Sequence, residues 1–114
     1  MMQNMPKVYL MVRSVVSEPG LREKFDHWYS TEHLAWALDA LKAEKGWRFW
    51  SKVDAGVHYA VYQFSELADV EAGLKSDGFK ALAADYDRTW PVGVTRTRDI
   101  LSMAEERDGV PVKL

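Results

Sequence analysis

Apolar residues alternate along KVYLMVRSVV (residues 7–16): Val8, Leu10 and Val12 fall on one side, Tyr9, Met11 and Val15 on the other. That period of two predicts a strand. Pro19-Gly20 closes it, and the period then lengthens, because Leu21, Phe25 and Trp28 recur at helical spacings of four and three. The phase shifts at Ser30-Thr31. Beyond it Leu34, Leu38 and Leu41 form a second stripe, so the helix is expected to kink or restart around residues 30–32, with either hydroxyl as a cap, and to end at Gly46. WRFWSKV (47–53) and VHYAVYQFS (57–65), separated by Asp54-Ala55-Gly56, predict a hairpin. Ser65 is placed to cap a helix carrying Leu67, Val70 and Leu74. Asp77-Gly78 interrupts that helix, and Phe79, Leu82, Ala83, Tyr86 and Trp90 continue on one face. After Pro91 comes a last strand, residues 92–103. The order βαββαβ predicts an α+β fold, a four-stranded antiparallel sheet with helices on one face.

The strand faces add a second expectation. In the third strand Val57, Tyr59 and Val61 oppose Ala60, Tyr62 and Phe64, so both sides are largely apolar. A half-solvated antiparallel sheet should alternate apolar with polar. Two helices can cover only one face, which predicts a homodimer through the other.

Composition narrows the function classes. The 114 residues suit a single domain, 1–114, with a core at 7–103 and loose ends at 1–6 and 104–114. A net charge of -2 with interspersed signs gives no basic stripe, arguing against a nucleic-acid partner. Without cysteine there is no disulfide framework, thiolate nucleophile or Cys-type metal site. No apolar run approaches membrane-spanning length, and MMQNMPK lacks the layout of a secretory signal, so a cytoplasmic protein with no membrane partner is expected. Five Trp and five Tyr are many for so short a chain, and they supply contact area for cores, interfaces and flat ligands alike.

One stretch concentrates the candidate chemistry: FDHWYSTEHL, residues 25–34. It resembles the F-x-x-W-Y-x-x-E-H-L signature of the EthD-like family, a branch of the dimeric α/β-barrel superfamily with ferredoxin-like subunits. The hairpin at 47–64 and GFKALAADYDRTW leading into VTRTRDIL extend the resemblance over roughly residues 7–103. Ala35 stands where the family usually has proline. The resemblance implies a homodimer whose two sheets form a barrel, with a cleft between sheet and helices in each subunit. It also implies cofactor-independent isomerisation, cyclisation, decarboxylation or oxygenation of small, often aromatic molecules, or, in some relatives, haem binding.

His33 lies four residues after Tyr29, so on a continuous helix the two side chains share a face and could pass a proton to or from a ligand. An imidazole's ordinary pKa, near neutrality, suits both directions. The same histidine could instead only brace the helix restart; the family position implies a ring turned inward. Trp36 follows three residues later, and Tyr86 and Trp90 share a helical face, so all three are candidates to line the cleft. Arg48 and Trp50 share one face of the second strand, opposite Trp47 and Phe49. If that face meets the helices, the guanidinium could hold a ligand oxygen beside Trp50; if not, it belongs to the dimer interface or an exposed edge. Glu32 complements the positive end of the restarted helix. His27, four after Glu23, reads as solvated, and His58 as a strand-end or interface residue.

The spacing of the histidines provides no metal-ligand pair, and no metal is expected. A non-catalytic binder of a small hydrophobic or aromatic ligand, or a haem protein using one histidine, would be the other functions such a cleft could serve.

Overall fold

The computed structural model describes residues 6–112. Four strands, β1 (Val8–Val16), β2 (Lys45–Trp50), β3 (Val57–Phe64) and β4 (Val94–Ser102), pair antiparallel in the order β2-β3-β1-β4. Helices α1 (Arg22–Trp28), α2 (Leu34–Leu41), α3 (Leu67–Lys75) and α4 (Asp77–Thr89) pack on one side of the sheet. This is the ferredoxin-like α+β fold. Of the expected loose ends, residues 1–5 and 113–114 lie outside the described residues, and 104–112 have no regular secondary structure. Among the described residues no helix is long and apolar enough to cross a membrane.

Register decides which face is core. Leu10 sits opposite Tyr62 and Val12 opposite Ala60, so the buried side of β1 meets the buried side of β3. The fully buried Phe25 of α1 and Val70 of α3 belong to the same cluster, each burial contributing roughly 1.5–3 kcal/mol. The other face carries Tyr9, Met11, Val61, Trp47 and Phe49, with Trp47 packed 6.2 Å from Tyr9 between ring centroids and Phe49 51% exposed. β4 interrupts it with Thr95, Thr97 and Asp99 and adds only Leu101, opposite Tyr9.

Several boundaries differ from the sequence expectations, each for a local reason. The helix does not run to Gly46: it ends at Leu41, where Lys42 takes the left-handed conformation (φ 54°) that closes a helix. Gly46 lies inside β2 instead, where an added Cβ would stand 3.0 Å from the Leu38 side chain. Ser65 does not cap α3; its hydroxyl donates to Glu44 at 2.7 Å, joining Lys7 and Gln63 around that carboxylate. The break between α3 and α4 falls at Ser76, before Asp77-Gly78, because the Ser76 Oγ accepts the Phe79 amide at 3.1 Å and caps α4. Neither Ser30 nor Thr31 caps a restarted helix, since the backbone stays helical throughout that stretch.

Candidate functional site

Between α1 and α2 the chain makes one π-helical turn, Tyr29–His33, closed by the Leu34 amide on the Tyr29 carbonyl five residues back. Such wide turns often occur at functional sites. Thr31 supports it, its hydroxyl donating to the His27 carbonyl at 2.8 Å. The turn leaves Tyr29 and His33 on the sheet side, ring centroids 4.7 Å apart, and Ser30, Thr31 and Glu32 in solvent. His33 is 5% exposed and stacks on Trp28 at 4.4 Å. Its ring is turned inward, as the family resemblance implied, despite Ala35.

A narrow cavity of about 30 Å³ lies against His33, walled by Tyr29, Tyr62, Tyr86 and the side chains of Leu10, Val12 and Leu82. That volume takes a water-sized group rather than a whole metabolite. It meets a wider groove of about 510 Å³ between α4 and β4 at Phe79, Ala83, Arg96 and Arg98. The polar groups in the wall are fixed. Tyr86 shares a 2.7 Å hydrogen bond with the buried Ser14 hydroxyl, and Tyr29 a 3.1 Å hydrogen bond with Tyr62. Arg96 lies 3.9 Å over the Tyr86 ring and bonds Asp87 at 2.8 Å.

Burial sets the electrostatics. It pushes the His33 imidazole down to about 4; Asp85 opposes the shift and Arg96 adds to it. His33 is therefore neutral at pH 7, and its Nδ1 is buried without a hydrogen-bond partner. The near-neutral pKa expected from sequence does not survive this environment. Burial also raises Tyr86, takes Tyr62 up to about 12, and lifts Tyr29 well above the usual phenol range. These phenols stay protonated and serve as hydrogen-bond donors or acceptors.

The Arg48–Trp50 face of β2 does meet the helices. Both side chains, however, converge on Asp26 rather than on the cavity. Arg48 donates to Asp26 Oδ1 at 2.6 Å and Trp50 Nε1 to the same oxygen at 2.7 Å. Arg48 Nε also donates to His58 Nε2 at 3.1 Å. The Trp50 hydrogen bond, ahead of Arg48, lowers the Asp26 pKa against a burial that raises it. His58 stands at the start of β3, as expected, but its side chain is fully buried against the helix layer, which overturns the interface alternative; burial, then Arg48, pushes it down to about 4. This second cluster touches the first through Tyr29, whose ring lies 4.7 Å from His58 and 5.2 Å from the Arg48 guanidinium.

Of the expected lining, the structure brings Tyr29, His33 and Tyr86 to the cavity. Trp90 packs behind them on Phe25 and Trp28, at 5.4 and 5.6 Å. Trp36 stands 37% exposed, away from the cavity wall. His27 is exposed, as expected. Sequence reasoning missed Asp26, Ser14, Tyr62 and Arg96 as polar members of the site. Tyr62 and His58 share the period-two face of β3 with Ala60 and Phe64, a signal that was present. Among the described residues no group of three or more His, Asp or Glu side chains is arranged to hold a metal ion.

No family model and no curated protein matches the chain by sequence. Solved structures match its fold. A variant of SnoaB, a cofactor-independent oxygenase from Streptomyces nogalater, superposes with a TM-score of 0.67 at 11% identity, over 88% of this chain and 95% of that one. HapK from Hahella chejuensis gives 0.65 at 12%, over 93% and 99%. An EthD family protein from Bacillus halodurans gives 0.60 at 11%, over 80% and 96%. At these identities the likeness establishes the ferredoxin-like fold, and it agrees with the EthD-like resemblance of the FDHWYSTEHL stretch.

Proposed function

We propose that the protein is a homodimeric barrel enzyme performing cofactor-independent acid–base chemistry on a small hydrophobic or phenolic metabolite: isomerisation, cyclisation, decarboxylation or oxygenation. The observation that carries this reading is His33: a neutral imidazole that lines a cavity beside the Tyr29 and Tyr86 rings and, among the described residues, gives no nitrogen to a neighbour in a hydrogen bond. A neutral imidazole can take a proton from an acidic carbon or hydroxyl and return it elsewhere on the ligand. Tyr29 orients that ring by edge contact, and Tyr86 holds the opposite wall. Arg48 and Trp50 act at one remove, fixing Asp26 and His58 against Tyr29. The body of the ligand occupies the groove, and only its reacting end enters the cavity. That one structural neighbour, SnoaB, is a cofactor-independent oxygenase supports the reaction class.

Replacing His33 with Asn keeps a polar side chain but removes proton exchange. Turnover should fall roughly a hundredfold or more while the melting temperature changes little. Unchanged turnover of a confirmed substrate would remove His33 from the chemistry. The low His33 pKa also favours a second reading, a non-catalytic binder; recovery of a tightly bound ligand unaltered after long incubation would select it. Haem fits less well, because His33 is stacked on Trp28 and faces a space far smaller than a porphyrin.

The dimer reading rests on the open sheet face, where Trp47, Phe49, Tyr9 and Met11 lie together. Light scattering at micromolar concentration should return twice the 13.1 kDa of one chain. A monomer mass would overturn it, since large apolar interfaces hold at such concentrations.

A further inference from the structure

The side of β4 that faces the helices has an unusual content. Register places Val94, Arg96, Arg98 and Ile100 there, opposite Val16, Ser14, Val12 and Leu10 of β1. At this sheet edge Arg96 is half-buried and Arg98 exposed, and the two guanidinium groups line both the cavity and the groove. Each is laid over an aromatic ring of α4. Arg96 lies 3.9 Å over Tyr86, and Arg98 lies 5.1 Å over Phe79. Phe79 and Tyr86 are seven residues apart, about two helical turns, and Ala83 between them offers only a methyl group. The two arginine–aromatic pairs therefore flank a gap at Ala83, where cavity and groove meet.

The charges around that gap do not cancel. Asp87 is bonded to Arg96 at 2.8 Å, and Asp85 to Arg88 at 2.8 Å. Asp99 is on the opposite face of β4 and accepts the Ile100 amide. Arg98 makes no ion pair among the described residues. One exposed guanidinium, laid over Phe79 and presenting a planar fork of donors, is left over where the cavity opens into the groove, the arrangement that recognises a two-oxygen anion.

We propose that the site takes a small acid: an apolar or aromatic ring body with a carboxylate, or a like anionic group, held by Arg98 at the Ala83 gap. The inference rests on the small-molecule reading of the cavity and names its ligand class. The ring body lies along the groove between Phe79 and Val94, and the neutral end of the molecule reaches His33.

Two fluorescent probes with the same rings separate charge from shape: 8-anilinonaphthalene-1-sulfonate, an anion, and 1-anilinonaphthalene, its neutral counterpart. The folded protein should bind the sulfonate more tightly. Arg98→Gln should weaken the sulfonate at least roughly tenfold while moving the neutral probe less than about twofold. Added salt should weaken the sulfonate on the wild-type chain and not on that variant. Ala83→Leu, which fills the gap and leaves every charge in place, should weaken both probes, with far-UV circular dichroism confirming the fold. If Arg98→Gln leaves sulfonate binding and its salt dependence unchanged while Ala83→Leu still weakens both probes, the acid inference fails and the cavity reading stands. If Ala83→Leu folds and weakens neither probe, the cavity reading fails and the inference with it.

Discussion

His33 and His58 are both buried and both pushed down to about 4, yet they belong to differently built regions. His58 is committed. Its Nε2 accepts from Arg48, which puts the ring proton of the neutral form on Nδ1, and Arg48 is in turn bound to Asp26. His33 lines its cavity between Trp28, Tyr29 and Tyr86; in both rings Nδ1 is buried without a partner, but among the described residues only His58 has its Nε2 engaged. A low pKa alone therefore does not distinguish a reactive histidine from a structural one. What distinguishes them is whether a neighbour already occupies the lone pair and whether a ligand has room to reach it.

The largest expected effect joins the two regions. Each folded-state pKa lies below the ordinary 6.5, so the unfolded chain binds protons that the native chain refuses. Stability should be level above about pH 6.5 and fall as the pH drops toward 4, by about 3 kcal/mol for each ring. Urea unfolding across that range measures the loss, and NMR titration should find both rings turning over near 4. Either ring titrating near 6.5 would break the pairing. A smaller change separates the regions. Arg48→Met leaves His58 Nε2 without its donor and Asp26 without its cation, and should cost about 1–3 kcal/mol. Its sharper readout is selective: the His58 pKa should rise, because Arg48 holds it down, while that of His33 stays put. Equal movement of both would mean that the clusters act as one. The smallest effect is the control. His27→Ala, on the solvent side of the same helix, should change stability by less than about 0.5 kcal/mol and leave both buried rings untouched.

Much of the architecture was legible in the chain, because burial imposes a period and the period survives in the residues. The two faces of β1 and β3 and the hairpin around Asp54-Ala55-Gly56 follow from it, whereas the inward His33 was implied by the family resemblance and not by the period. Element ends were less legible, since they depend on single caps. Lys42 closes a helix where no glycine stands, and Ser76 starts one just before the expected break. The Asp26–Arg48–His58 cluster was hidden for another reason. Its members come from α1, β2 and β3, and polar residues that satisfy one another on a buried face leave no mark on an apolar pattern. Arg96 and Arg98 were invisible in the same way: alternation marks their shared side, but not that α4 leaves a gap above it.

The wide turn at Tyr29–His33 has a consequence for how this protein tolerates length changes. An α-helix rotates about 100° per residue, so one added or lost position swings everything beyond it by that angle. The π turn is equivalent to a one-residue insertion that the fold has absorbed. Phe25 and Tyr29 before it and Ala37 and Leu41 after it are all buried against the same layer. Ser30 and Glu32 are exposed and outside the cavity, and Thr31 touches the turn only through its hydroxyl on the His27 carbonyl. Their number is nonetheless constrained more tightly than their identity. Substitutions there leave the helical phase alone. One added residue would swing Ala37 and Leu41 about 100° out of the core, and one removed would close the wide turn into an ordinary α-helical one, keeping Ala37 and Leu41 in phase but changing how His33 is set against Tyr29.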